Sequence, residues 1–278
     1  MSGFSPEWLA LREPVDHRAR ERRLAARLAG YFAGRPRITV VDLGCGTGSN
    51  LRGSFALLPV TQDWTLVDYD PRLLAAARQR LSTWGDTSEP QGDALAITKG
   101  GKQMTVRFRQ ADLNAGLETA LGDTPDLVTA SALFDLCSAE FIAGFAGAVA
   151  RRRAAFYTVL SYNGVQSWTP AHASDAAMTA AFHAHQRSDK GFGASLGPGA
   201  PEALARAFQA NGYEVGEGDS PWVLGASEQR LISELADGFA GAAGETGTVP
   251  VDEIRVWRSI QRSSAAVGHT DTLALPAR

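Results

Sequence analysis

The sequence predicts an α/β protein: a three-layer αβα sandwich around a mostly parallel, seven-stranded sheet with an antiparallel last strand. Three observations carry this. Apolar runs alternate five times with stretches of helical periodicity, as in a parallel sheet covered on both faces. A glycine-rich turn joins the first such run to the helix after it. Near the carboxyl end, Thr270 to Leu275 alternates in the manner of a strand that pairs antiparallel with its neighbours. At 278 residues, 44% hydrophobic and 21% charged, the chain suits a single globular domain of this class.

Each element has its own signal. Leu24, Leu28, Tyr31 and Phe32 recur at helical spacing, so Asp16 to Phe32 reads as one amphipathic helix. Pro14 predicts a break before it and leaves Pro6 to Leu11 as a short helix of its own. Residues 1–35 then form an amino-terminal helical cap on one domain spanning 36–278. Gly34 and Pro36 stop the helix, and Ile38 to Val41 is the first buried strand. Asn50 to Leu58 is helical. Trp64 to Val67 is the second strand, and Asp70 caps a helix that starts at Pro71 and reaches Leu81. The Gly, Ser, Thr and Pro content between Trp84 and Lys102 predicts a loop. Met104 to Phe108, Leu127 to Ala130 and Ala155 to Leu160 are the next three strands, with a helix over Phe141 to Val149. Ser161 to Pro201 reads as an insert with one helix around Ser174 to His185. A helix over Pro201 to Ala210, a strand at Tyr213 to Val215 and helices over Ser227 to Ala240 and Val251 to Arg262 complete the chain.

Composition excludes several classes of partner. The net charge is −3, and Arg151-Arg152-Arg153 is the one basic run, which reads as a solvated helix end; no nucleic-acid partner is expected. Two cysteines are too few for a disulfide framework. Met1 to Arg20 lacks the apolar core of a secretory signal, and no run of about 18 apolar residues occurs. The expectation is a cytoplasmic protein without membrane contact, monomeric or homodimeric.

The glycine turn carries the chemistry. Val40-Val41-Asp42-Leu43-Gly44-Cys45-Gly46-Thr47-Gly48 places three glycines between a strand and a helix, where backbone N–H groups can meet a ligand closely. A dinucleotide fingerprint needs its third glycine at position 49, which is Ser49; starting at Gly46 instead meets Leu51. The spacing therefore argues against a pyrophosphate. Asp68 ends the second strand, 24 positions beyond Gly44, where a carboxylate accepts hydrogen bonds from both hydroxyls of a ribose.

Asp42-x-Gly44-x-Gly46-x-Gly48 resembles the first motif of the Rossmann-like (class I) S-adenosylmethionine-dependent methyltransferases, and the similarity in order and spacing runs from about Val40 to Ala210. The resemblance implies that S-adenosyl-L-methionine is held by Asp42, Gly44, Cys45, Gly46, Thr47, Gly48, Asp68 and Tyr69. It further implies that Asp112, with Leu113, meets the adenine amino group, and that Ser131 lies beside the methionine part. Arg12 is a candidate partner for the methionine carboxylate, because a guanidinium binds carboxylates bidentately. The alternatives are a helix end for Arg12 and a loop aspartate binding its own backbone for Asp112.

The acceptor is less legible. The leading expectation is transfer of a methyl group to an O or N atom of a small molecule. A methyltransferase acting on nucleic acid or protein, or a non-methylating enzyme of the same fold, remains the alternative. A base is required where the nucleophile is protonated, and His172 or His183 in the insert is the candidate catalytic residue. His183 and His185 point to different faces of a helix, and neither spacing nor cysteines support a metal, so none is expected. Phe134, Tyr162 and Trp168 are candidates for an apolar substrate wall, and Lys190-Gly191-Phe192-Gly193 for the hinge of a lid.

Overall fold

A computed structural model describes residues 4–277; the first three residues of the expected cap and the last of the expected domain lie outside it. The first strand, β1 (Arg37–Leu43), lies at the centre, parallel to β2 (Thr61–Asp68) on one side and to β6 (Leu127–Ser131) on the other. Its residues are apolar on both faces: Ile38 and Val40 enter one core cluster, Val41 and Leu43 the other. β5 (Lys102–Gln110) continues the parallel array beyond β2, and β7 (Ala155–Thr169) continues it beyond β6. The last strand, β10 (Ser264–Pro276), pairs antiparallel with β7 and with β8 (Tyr213–Asp219), so the seven expected strands, the antiparallel last one among them, are present.

Three further strands bring the sheet to ten, in the order β3-β4-β5-β2-β1-β6-β7-β10-β8 with β9 (Trp222–Leu224) beside β10. The loop expected between Trp84 and Lys102 is instead a hairpin of β3 (Thr87–Gln91) and β4 (Ala94–Lys99) on the edge of β5. Leu95 and Ile97 alternate into the core, a period-two signal that the polar composition around it hides. The first part of the expected insert is not an excursion: β7 runs on to Thr169, paired with β10 across two register shifts.

Helices cover both faces. On one side lie α1 (Pro6–Ala19), α2 (Arg22–Tyr31), α3 (Ser49–Ser54), α4 (Pro71–Trp84), α7 (Asp175–Gln186), α9 (Gln229–Thr246) and α10 (Val251–Ser259). The other carries α5 (Leu113–Leu121), α6 (Ala139–Arg151) and α8 (Ala200–Ala210), packed through Phe145, Phe156 and Phe208.

The amino-terminal break falls elsewhere than expected. α1 runs through Pro14, and the chain turns at Arg20 and Glu21. The buried carboxylate of Asp271 on β10 accepts the Glu21 N–H at 2.9 Å, and the Glu21 side chain then caps α2 by accepting the Leu24 N–H at 2.7 Å. A tertiary acceptor outcompetes the local proline signal. Asp271 also accepts the Leu160 N–H at 2.8 Å and the Ser220 hydroxyl at 2.5 Å, which ties α1–α2, β7 and the β8–β9 connection to one buried atom pair.

Candidate functional site

Strand order reverses at β1, with β2 and β5 on one side and β6 and β7 on the other. Ligands of open α/β sheets bind above the carboxyl ends at such a reversal, and a cavity of about 270 Å³ lies there. Its floor is the turn from β1 into α3. Gly44, Gly46 and Gly48 all take positive φ, +59°, +53° and +78°. Cys45 N–H is held by Val67 O at 3.0 Å, and Gly48 N–H closes the turn on Cys45 O at 2.8 Å. A Cβ on Gly46 would come within 3.0 Å of Leu9, and one on Gly44 within 3.2 Å of Leu133, so side chains at either position would fill the cradle.

Gly44, Cys45, Gly46 and Thr47 line the cavity; Asp42 and Gly48, expected to contact the ligand, are not among the lining residues. Both act beneath it. Gly48 starts α3, and Asp42 accepts the Asn50 side-chain N–H at 2.7 Å. Asn50 in turn accepts from Arg20 at 2.9 Å, and Arg20 reaches Ser54 at 2.7 Å, so the end of α1 is locked to the loop. Complete burial pushes the Asp42 carboxyl up to about 7. No local motif marks Arg20 or Asn50, which become visible only once α1 docks.

Asp68 ends β2 at the cavity wall, its Oδ2 accepting the Gly46 N–H at 2.8 Å and its Oδ1 the Asp70 N–H at 2.9 Å. Burial raises its pKa against those two bonds. Tyr69, half exposed, and Leu113 form the rim next to Asp112. Asp112 caps α5 by taking the Asn114 N–H on Oδ1 at 2.9 Å, and it also lines the cavity. Ser131 and Ala132 close the β6 side.

α1 lies across the top. Arg12 donates through Nε to Asp16 at 2.9 Å and stacks over the Trp222 ring at 4.9 Å, and Trp222 Nε1 donates to the other Asp16 oxygen at 3.0 Å. Arg12 and Asp16 both line the cavity. Opposite them the turn Lys190-Gly191-Phe192 completes the wall. Asp189 Oδ1 accepts the Gly191 and Gly193 N–H groups, and Phe192 rests edge-on against Phe141 at 4.7 Å.

The candidate histidines stand elsewhere. Neither His172 nor His183 lines the cavity. His172 Nδ1 accepts the Ser174 N–H at 3.2 Å in the turn that opens α7, and His183 Nε2 lies 3.0 Å from the Tyr162 hydroxyl. Trp168 and Phe134 are also displaced from the wall assigned to them. Trp168 packs between Phe239 and Trp257 under α9 and α10, and Phe134 is buried against Phe145 and Phe156. Their apolar bodies found larger partners in the helical layers than the cavity offers.

This architecture is a Rossmann-like αβα fold, shared with solved structures. The chain is similar in structure to the cyclopropane synthase MmaA2 of Mycobacterium tuberculosis, with 12% identity, 98% of this chain and 94% of that one covered, and a TM-score of 0.52. It is also similar to the YcgJ protein of Bacillus subtilis, at 14% identity, with 93% and 100% covered and a TM-score of 0.50. No family model and no curated protein matches the sequence.

Proposed function

We propose that the protein is an S-adenosylmethionine-dependent methyltransferase acting on an O or N atom of a small molecule. The observation that carries this is the convergence, on one cavity, of the glycine turn, Asp68, Asp112 and Arg12. The residues present fit that donor. Gly44, Gly46 and Gly48 have no Cβ atoms to obstruct a close approach, and the Thr47 hydroxyl is buried without a partner among the described residues. Asp68 would take the ribose hydroxyls, Asp112 Oδ2 the adenine amino group, and Arg12 the carboxylate end through the Nη atoms that Asp16 leaves unused.

The donor supplies a methyl group already activated as a sulfonium, so the protein's task is position. Holding donor and acceptor in line contributes up to about 7–11 kcal/mol. α1 and the Lys190–Phe192 turn would exclude water from above, with α1 and α2 serving as a cap. A small acceptor suits a cavity walled on both sides, and the net charge of −3 gives no electrostatic reason for a polyanion. Among the described residues no helix is long and apolar enough to cross a membrane, and we read the chain as cytoplasmic.

Calorimetric titration of the full chain with S-adenosylhomocysteine and, separately, with NAD tests the donor. Binding of the first without the second is expected. Binding of NAD alone would overturn the reading.

A further inference from the structure

Beyond the groups assigned to the donor, the cavity wall is apolar. Leu9 on α1 and Leu133 after β6 stand over the glycine turn, since a Cβ built on Gly46 or Gly44 would meet them at 3.0 and 3.2 Å. Leu136 and Phe192 line the same cavity. The turn that carries Phe192 is fastened to the segment that carries Leu136. The Ser195 hydroxyl donates to Leu136 O at 2.8 Å, the Leu196 N–H donates to Cys137 O at 2.9 Å, and Phe192 rests against Phe141. Leu136 and Phe192 are thereby held on one wall.

The polar groups that remain on the lining are engaged with one another or turned aside. Asp16 accepts from Arg12 on one oxygen and from Trp222 on the other. The Asn50 amide is shared among Asp42, Thr129 and Arg20, and the Ser49 hydroxyl lies 3.0 Å from His17 Nε2. Lys190 lines the cavity, but its Nζ lies 3.3 Å from Nε2 of His185 on α7, which is not a lining residue. The ammonium is drawn aside, and the methylene stem is what the wall keeps. Asp135, in the helical turn Phe134–Leu136 after β6, is buried and does not line the cavity. A charged acceptor would give up its water here without gaining a counter-charge, which costs far more than burying hydrocarbon.

We propose that the acceptor is an uncharged small molecule with a hydrocarbon or aromatic body, seated on Leu9, Leu133, Leu136 and Phe192. The O or N atom that takes the methyl group is its one polar point. This rests on the methyltransferase reading above and narrows it. Affinity comes from the apolar surface removed from water, and discrimination against carboxylates, phosphates and ammonium groups comes from their unrepaid desolvation. In the transfer itself, the acceptor's lone pair forms the bond to the methyl carbon while the carbon–sulfur bond breaks and its electron pair stays on sulfur. The O–H or N–H proton of the acceptor passes to water.

Calorimetric titration of the S-adenosylhomocysteine complex with matched probes tests the class at neutral pH. The neutral probes are 1-octanol and 2-naphthol; the charged ones are octanoate, octylammonium and 2-naphthoate. At least one of the alcohols should bind, and at least about tenfold more tightly than its charged counterparts. Leu136→Ala should weaken that alcohol about fivefold, and Leu136→Lys should narrow the gap to the carboxylate at least about tenfold by placing a cation on the wall. S-adenosylhomocysteine affinity should stay within about twofold in both variants, which also reports that they fold. Equal or tighter binding of a charged probe would overturn the inference; its loss in Lys190→Ala would identify Lys190 as the group that turns inward. Failure of both alcohols to bind would overturn it as well, as would an alcohol affinity that neither Leu136 variant changes. If S-adenosylhomocysteine does not bind the wild type, the donor reading itself fails and this inference falls with it.

Discussion

The two halves of the cavity are built by different means. The half at the ends of β1, β2 and β5, which we propose holds the donor, consists of backbone and of side chains within a few residues of a strand end. Its key carboxylate, Asp68, has both oxygens already held by N–H groups of the adjacent turns. The other half draws Arg12 and Asp16 from α1, and behind that wall Trp222 and His269 pack from distant segments, with His269 Nδ1 lacking a partner among the described residues. The hydrogen bonds that hold the first half are mostly local. The second is held by distant anchors, chiefly Asp271.

Asp271→Ala should have the largest effect and should fall on the second half. It strands the Glu21 and Leu160 N–H groups and the Ser220 hydroxyl. A loss of about 3–5 kcal/mol is expected in urea unfolding, since each buried unsatisfied group costs about 1–3 kcal/mol. If Asp271→Ala melts like wild type, the anchored half is not held as described.

Gly46→Val attacks the donor half. It places a β-branched residue at φ +53° with its Cβ against Leu9. Affinity for S-adenosylhomocysteine should drop about 100-fold, the loop paying roughly 1–3 kcal/mol of strain besides the clash. Asp68→Ala should follow at about 10- to 100-fold, matching loss of hydrogen bonds to a charged group worth about 1.5–3 kcal/mol. Wild-type affinity in either variant would show that the loop does not hold the donor.

A smaller, pH-dependent effect separates the halves again. The Asp135 pKa is raised from about 3.9 in the unfolded chain to about 6 in the fold. The stability its neutral form provides is complete below about pH 4 and is lost as pH rises through about 6. Relative to wild type, Asp135→Asn should therefore gain about 1–3 kcal/mol of unfolding stability between pH 5 and pH 8. Parallel stability curves for the two proteins would contradict the burial described for Asp135. The least effect is expected from His172→Ala, which removes one acceptor at the start of α7. It should cost less than about 1 kcal/mol and leave S-adenosylhomocysteine affinity within about twofold.

How much was legible follows the same division. β1, the glycine turn, the Asp70–Pro71 helix start and Asp68 were readable because each depends on residues close in sequence. The hairpin of β3 and β4 was masked by its Gly, Ser, Thr and Pro content, though Leu95 and Ile97 alternate. Pro14 misled because a helix can accommodate a proline where tertiary packing holds it, and Asp271, some 250 residues away, decides where the chain turns. The histidines of the 161–201 segment drew attention by residue type alone, and neither His172 nor His183 lines the cavity.

The sequence by itself determined the alternation of strands and helices, the antiparallel last strand and the turn shaped for a close-approaching ligand. These follow from periodicity and from backbone conformations that only glycine adopts readily. Tertiary structure alone decided that β10 threads between β7 and β8, that α1 closes the cavity with Arg12 and Asp16, and that Asp135 is buried with an oxygen unpaired among the described residues. Burial and desolvation are set by what packs from afar, and no window of sequence contains both partners.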